Sequence, residues 1–116
     1  MLFVGYSRWS TAKKAKAWLI ENGFSFEERD IKEERPTKEE LAKWYKQSGL
    51  PLKKFFNTSG MLYKEMELKD KLANMSEDKQ LELLASDGML VKRPILITDS
   101  LILLGFKESE YKYALL

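Results

Sequence analysis

The chain contains no cysteine and no histidine among its 116 residues. Without cysteine it cannot form a thiolate, which is the attacking group in thiol–disulfide exchange. Without histidine it lacks the commonest general base and a usual zinc ligand, so histidine-based catalysis is excluded and no zinc site is expected. No acidic loop resembles a calcium site. The sequence therefore predicts neither a resident metal nor a cofactor.

Three further absences limit the possible partners. The net charge is only +2, which is too small to indicate nucleic-acid binding. No apolar run approaches the roughly 20 residues of a membrane span, and the first 30 residues show no signal-peptide pattern. With 44% hydrophobic residues, the chain is long enough to bury a core of its own. We therefore expect one cytoplasmic domain of bacterial type, residues 1–116, that binds neither nucleic acid directly nor a membrane.

The first third of the chain reads as strand, helix, strand. Residues 1–5 form a short apolar run typical of a buried strand. Residues 10–22 place apolar side chains at helical spacing, and Asn22-Gly23 is a typical helix end. Residues 24–31 alternate in part and predict a second strand. Two strands joined by one helix predict a right-handed parallel βαβ unit.

An all-helical insertion, about residues 33–89, follows this unit. Thr37 and Glu40 have the spacing of a capping box, and Gly49-Leu50-Pro51 ends the helix that follows. Ser76 caps a later helix with its own apolar stripe. Two apolar runs, 95–98 and 101–105, then predict an antiparallel hairpin, and residues 106–115 predict a last helix. This order predicts an α/β, thioredoxin-like fold of the glutaredoxin type, with a mixed four-stranded sheet and a helical insertion.

The start of the first helix is the candidate site. A buried strand, a sharp turn and a helix that opens on small polar residues is how thiol–disulfide proteins present a nucleophilic cysteine. Positions 9 and 12 have the C-x-x-C spacing, yet they hold Trp9 and Ala12. Ser10 and Thr11 are the nearest hydroxyls, but a lysine or a carboxylate would have to activate them. We expect one of these two residues to cap the helix instead.

Several segments resemble one family. Residues 5–15 (GYSRWSTAKKA) are similar to the opening of the arsenate reductase (ArsC)/Spx/MgsR family, whose members resemble glutaredoxins with a helical insertion. Further similar segments are SGL, KFFNTSG, LELLASDGML, KRP and GF, at residues 48–50, 54–60, 81–90, 92–94 and 105–106. The resemblance covers nearly the whole chain and is greatest to an uncharacterised, reductase-like branch.

The resemblance implies roles for four positions. The family's catalytic cysteine falls on Trp9 and its second cysteine on Ala12. Arg93 falls on an arginine that assists the reactive sulfur or a bound oxyanion, and Pro94 falls on a cis-proline that faces the site. Arsenate reductases of this type hold the oxyanion with further arginines, where the insertion here offers residues 57–60 (NTSG). Arsenate reduction is therefore not expected, even with sulfur restored.

Positive charge at the helix start has two interpretations. Arg8, Lys13 and Lys14 lie where the helix macrodipole is already positive, which is unfavourable for cations. They could be part of a retained anion site built on the free backbone N–H groups of Ser10 to Lys13, with an oxyanion or glutathione as the ligand. Alternatively, the lysines extend into water and are inherited from an ancestor that stabilised a thiolate. The residues of the possible anion site are Arg8, Ser10, Thr11, Ala12, Lys13, Arg93 and Pro94.

Trp9 either fills the former active-site groove or serves as an anchor for a partner, since tryptophan is enriched at interface hot spots. The Spx branch binds the C-terminal domain of the RNA polymerase α subunit, and a glycine of that branch falls on Gly49. The resemblance thus implies a partner surface that joins Trp9 to Gly49. The leading hypothesis is a redox-inactive, non-enzymatic protein-binding or transcription-regulatory module. The alternative is an arsenate reductase-like, glutaredoxin- or thiol-coupled oxidoreductase whose active-site cysteines were lost or substituted.

Overall fold

The computed structural model describes residues 1–6 and 8–116. Four strands form one sheet in the order β2-β1-β3-β4: β1 (Leu2–Gly5), β2 (Glu27–Asp30), β3 (Ile95–Ile97) and β4 (Ile102–Leu104). The β1 strand is parallel to β2 and antiparallel to β3, which is antiparallel to β4. The predicted mixed four-stranded sheet is confirmed, with β2 at one edge.

Helices cover both faces of the sheet. The described residues form α1 (Ser10–Glu21), α2 (Lys38–Ser48), α3 (Met61–Glu65), α4 (Leu68–Lys71), α5 (Glu77–Ser86) and α6 (Glu108–Leu115). Short 3₁₀ turns occur at Leu52–Phe55, Leu72–Asn74 and Gly88–Leu90. None of the helices within residues 1–6 and 8–116 is both long enough and apolar enough to cross a membrane.

The alternation of side chains along β1 separates two cores. Phe3 packs in a cluster with α1 and α6 that includes Trp18 and Tyr111. Val4 points the other way and packs in a larger cluster with the helical insertion. Glu28 of β2 pairs with Phe3 and therefore lies on the α1 side, whereas Arg29 pairs with Val4 and lies on the side of the insertion. The α1 side of this edge strand is therefore polar. The sheet therefore has a well-packed centre and a polar edge beside α1.

The capping residues of the insertion act as the sequence predicts. The side chain of Thr37 accepts a hydrogen bond from the Glu40 N–H, and the Glu40 carboxylate accepts one from the Thr37 N–H. Gly49 ends α2 at φ 68°, a left-handed conformation that glycine adopts without strain. Ser76 caps α5 by accepting from the Lys79 N–H.

Three local predictions are wrong. The N-cap of α1 is Trp9, not Ser10 or Thr11, so its side chain makes no capping hydrogen bond. The β2 strand begins at Glu27 rather than at residue 24, because Phe24 and Phe26 turn in to pack against the α1–α6 cluster. The short helix α3 was not predicted at all, since the five residues after Gly60 carry no clear apolar period.

Gly88 fixes the approach to the candidate site. The 3₁₀ turn that begins at Gly88 packs against the backbone of Ile31, which follows β2, and a Cβ at Gly88 would collide with the carbonyl oxygen of Ile31. Only glycine allows this close contact. The turn directly precedes residues 91–93, so it fixes the position of the Arg93 backbone.

Candidate functional site

The first turn of α1 presents backbone N–H groups at the candidate site. Trp9 is in an extended conformation, its N–H donates to the Tyr6 carbonyl at 3.0 Å, and its own carbonyl accepts from the Lys13 N–H at 3.1 Å. In the part of the chain that the structure describes, the N–H groups of Ser10, Thr11 and Ala12 have no acceptor. The sequence prediction that Lys13 also offers a free N–H is wrong, because the first helical hydrogen bond uses it.

Arg93 is buried beside this helix start. Arg93 is only 5% exposed, and its Nη1 donates to the carbonyls of Met89 at 3.3 Å and Val91 at 3.1 Å. Its Nε is buried without a hydrogen-bond partner among the described residues. Arginine is rarely buried without a carboxylate partner, so another interaction must offset its desolvation.

That interaction is a stack of Arg93 on two aromatic rings. The guanidinium carbon lies 4.2 Å from the centre of the Trp9 ring and 5.8 Å from the centre of the Tyr6 ring. A guanidinium at this distance from an indole face is attracted by the ring quadrupole, by about 0.5–2 kcal/mol depending on solvent exposure. Trp9 is partly buried and packs against the α1–α6 cluster. It therefore covers one face of the Arg93 guanidinium.

The net effect of its surroundings is to lower the pKa of Arg93. Burial lowers the pKa of the guanidinium, while the charges of Tyr6 and Asp87 raise it in part. Because the pKa of an arginine lies far above neutral pH, Arg93 keeps its charge there despite this decrease. The site is thus a permanent buried cation under an indole.

Pro94 completes the site. The Arg93–Pro94 peptide bond is cis, as the family resemblance predicts. Pro94 is buried, and its carbonyl accepts from the Gly105 N–H at 2.8 Å. The start of β3 and the end of β4 therefore meet beside the N-terminus of α1.

The three cations predicted at the helix start are all exposed. Arg8, Lys13 and Lys14 reach solvent, and the first turn of α1 contains no acidic residue. Lys13 lines a cavity of about 420 Å³ between α1 and the edge strand β2. The opposite wall carries Glu28 and Asp30, and Glu28 pairs with Lys16 at 2.8 Å. Positive charge at this helix start is therefore balanced on the β2 side.

The structure does not bring Gly49 next to Trp9. Gln47, in the last turn of α2, donates to the Thr98 carbonyl at 3.0 Å, and Thr98 follows β3 at the end where Leu2 pairs with Ile97. Trp9 lies beyond the other end of β1. Gly49 and Trp9 thus belong to opposite ends of the sheet, and the predicted surface that joins them is wrong. The prediction failed because α2 runs away from the N-terminus of α1, so that its last turn lies at the Leu2 end of β1.

Another part of the insertion does adjoin the site. Phe56 forms a bridge with Val91, the Lys92 N–H donates to the Phe55 carbonyl at 2.7 Å, and the Asn57 N–H donates to the Leu90 carbonyl at 2.8 Å. Residues 57–60 form a tight turn around the buried Asn57. Within residues 1–6 and 8–116 no cluster of three acidic side chains could hold a metal ion.

The fold is thioredoxin-like, and an aromatic side chain, Trp9, occupies the N-cap of its first helix. The model of the ArsC family matches residues 4–114, and the chain belongs to the ArsC family. The crystal structure of an ArsC family related protein from Bacteroides fragilis superimposes with a TM-score of 0.93 and 51% identity, covering 97% of this chain and 94% of that one.

Three curated relatives bear on function. The uncharacterized protein YusI of Bacillus subtilis is 54% identical over 112 residues, which are 97% of this chain and 95% of YusI. The regulatory protein MgsR of Bacillus subtilis is 27% identical, over 95% of this chain and 86% of MgsR. The global transcriptional regulator Spx 2 of Oceanobacillus iheyensis is 26% identical, over 89% of this chain and 75% of its own length.

Proposed function

We propose that this chain is a redox-inactive member of the ArsC family that acts by binding a protein partner in transcription regulation. The partner proposed from the Spx resemblance is the C-terminal domain of the RNA polymerase α subunit. Binding would centre on Trp9, at the start of α1. No step of this function requires a thiolate, a metal or a cofactor.

The observation that carries the proposal is the contact between Trp9 and Arg93. An enzyme of this fold would need the arginine free to face a sulfur or an oxyanion, whereas here the indole lies over the guanidinium at 4.2 Å. Trp9 is nevertheless only partly buried, so it combines a fixed ring with a solvent-facing part. A rigid, partly exposed tryptophan loses little entropy on binding and is a typical hot-spot residue.

The relatives support the regulatory part of the proposal. MgsR is a regulatory protein and Spx 2 is a global transcriptional regulator. This chain contains no cysteine, so it has no thiol switch that could respond to oxidation. We therefore propose constitutive binding, independent of the redox state.

The test is titration of the purified α C-terminal domain against this protein, followed by calorimetry. We expect binding that the reductant does not change. Trp9→Ala should weaken it about thirtyfold, because truncation of a hot-spot residue costs roughly 2 kcal/mol or more. Tyr113→Ala is the matched control, since Tyr113 is an aromatic residue of α6 that is 95% exposed.

Each outcome is decisive. Loss of binding in the Trp9 variant alone supports the proposal. Equal affinities of the two variants would remove Trp9 from the interface and leave it a groove-filling residue. No binding of the unmodified protein at high micromolar concentration would remove this partner.

A further inference from the structure

The small net charge hides a marked segregation of charge along the chain. Fifteen of the 18 acidic residues lie in two segments, eight in residues 21–40 and seven in residues 65–87. Residues 1–20 contain four basic and no acidic residues, and residues 41–64 contain five basic and no acidic residues. Residues 88–107 contain three basic residues and one acidic residue, Asp99. A net charge of +2 therefore does not describe any single surface of the molecule.

The fold brings parts of the three basic segments together at one end of the sheet. Arg93 contacts Trp9, which places residues 8–9 beside residues 92–94. The Lys92 N–H donates to the Phe55 carbonyl, which places residues 53–55 there too. The Gly105 N–H donates to the Pro94 carbonyl and so adds residues 105–107. Asp99 lies in the hairpin turn at the opposite end, beside the cavity that Met1 and Leu2 line.

We define the basic face as Trp9 together with the four cations that flank these contacts in sequence: Arg8, Lys54, Lys92 and Lys107. Lys92 is partly buried, and the other three cations are exposed. The ion pairs of the described residues involve Lys16, Arg29 and Lys38, and none involves the basic face.

Two acidic residues adjoin the basic face without neutralising it. Asp87 is close enough to Arg93 to raise the pKa of the guanidinium, and Glu108 follows Lys107 in sequence. The Asp87 carboxylate is itself engaged, because it accepts from the Met89 N–H at 2.8 Å. The basic face therefore carries four cations beside these two acids, while Glu28 and Asp30 lie on the β2 side, where they line the same cavity as Lys13. A surface of this kind attracts a partner of opposite charge and steers its approach.

We propose that the basic face binds an acidic segment of a partner protein, with Trp9 as the apolar contact at its centre. This inference rests on the proposed function and specifies the chemistry of the partner surface. A protein segment fits better than a nucleic acid for two reasons. Arg93 already covers one face of the Trp9 ring, on which a base would otherwise stack. A short acidic segment also avoids the acid-rich segments 21–40 and 65–87, which would repel a long polyanion.

The experiment uses two probes against the full chain: a synthetic peptide of alternating glutamate and leucine, and a single-stranded oligothymidylate with the same number of negative charges. The test variant is Lys54→Glu/Lys92→Glu. The matched control is Lys69→Glu/Lys79→Glu, which changes the net charge equally at two exposed lysines of the acid-rich part. Indole fluorescence reports binding, because Trp9 is more exposed than Trp18 and Trp44.

We expect the peptide to bind the unmodified protein more tightly than the oligothymidylate does, with an affinity that falls as salt rises. The test variant should lose about tenfold in affinity and the control less than about twofold. Equal losses in both variants would show a general charge effect and overturn the proposal. The proposal would also be overturned if the oligothymidylate bound more tightly than the peptide, or if neither probe bound.

This test is independent of the named partner. If the α C-terminal domain binds the unmodified protein and the test variant equally well, the proposed function stands and the basic face is wrong. If the α domain does not bind but the peptide separates the variants as expected, the basic face stands and the partner must be another acidic protein.

Discussion

The guanidinium carbon of Arg93 lies 4.2 Å from the ring centre of Trp9, although the two residues come from opposite ends of the chain. Two hydrogen bonds from Nη1 to the carbonyls of Met89 and Val91 hold the guanidinium in place. The indole ring adds a cation–π attraction. Arginine and tryptophan thus form one packed unit at the N-terminus of α1.

The first prediction concerns activity. Protein whose mass matches this sequence should show no disulfide reductase and no arsenate reductase turnover, because no residue of the chain can form a thiolate. The assay couples each reaction to glutathione and glutaredoxin, and it includes a blank without the protein. Thiol-dependent turnover above that blank would contradict this prediction and would favour a reductase that borrows a thiol.

The second prediction concerns the environment of position 9. Trp9→Cys should give a thiol with a pKa below about 7.5, compared with about 8.5 for a free cysteine, because free helix N–H groups and the Arg93 charge stabilise a thiolate. Ultraviolet thiolate absorbance against pH measures it. Ala73→Cys, at an exposed site of a 3₁₀ turn, is the control. Identical titration of both thiols would show that the helix start no longer favours an anion.

Much of the fold follows from local sequence signals. The capping box at Thr37, the cap at Ser76 and the glycine at position 49 set helix ends through contacts within a few residues, so the sequence predicts them. The contact between Trp9 and Arg93 could not be predicted from such signals. It depends on how β1 and β3 pair and on a buried arginine with no acidic neighbour in the sequence. The place of Gly49 depends likewise on the direction of α2 across the sheet.

The third prediction concerns the anion site, which we retain as a proposal in a reduced form. The free N–H groups of Ser10, Thr11 and Ala12 and the exposed Arg8 are its observed parts. Sulfate should stabilise the protein beyond chloride at equal ionic strength, by about 1.4 kcal/mol at ten times its Kd. Thermal unfolding measures the effect.

Variants separate an anion site from a general salt effect. Arg8→Ala should abolish most of the sulfate effect, because Arg8 is the exposed cation of the reduced site. Lys79→Ala is the control on α5. The same sulfate effect in Arg8→Ala, Lys79→Ala and the unmodified protein would leave only general salting.

The fourth prediction concerns a buried hydroxyl. Tyr111 packs edge-on against Trp18 and Phe106, and its hydroxyl has no hydrogen-bond partner among the described residues. Burial raises the pKa of this phenol well above its usual value, so it stays protonated. Tyr111→Phe removes the unsatisfied group and keeps the ring. It should raise the free energy of unfolding by about 1 kcal/mol.

Urea unfolding of the Tyr111 variant has a natural control. Tyr45→Phe also removes one hydroxyl, but that hydroxyl donates to the Glu77 carboxylate at 2.8 Å. The control should lose about 0.5 kcal/mol. A destabilised Tyr111→Phe variant would mean that a water or a partner satisfies this hydroxyl in solution.

The last prediction concerns acid stability through Arg29 and Glu40. Arg29 projects from β2 toward the insertion and donates to both carboxylate oxygens of Glu40, at 2.6 and 2.8 Å. The hydrogen bonds from Arg29, with those from Thr37, lower the pKa of Glu40 from 4.5 to about 2, against the opposing effect of burial. A carboxyl whose pKa is lower in the folded state stabilises the fold above its unfolded pKa, and this contribution is lost as the pH falls through the folded value.

Below about pH 4.5 the unfolded chain takes up a proton at Glu40 that the folded chain does not, so stability must decrease between about pH 4.5 and pH 2. Because Glu40 is about one-third exposed, solvent screening reduces the expected loss to about 1–2 kcal/mol. Glu40→Gln should be less stable at neutral pH and should lack this part of the pH dependence. Glu39→Gln, the neighbouring exposed carboxylate of the same first turn, should titrate like the unmodified protein. Urea unfolding across this pH range measures all three proteins, and parallel profiles for Glu40→Gln and the unmodified protein would show that the ion pair does not join β2 to α2 in solution.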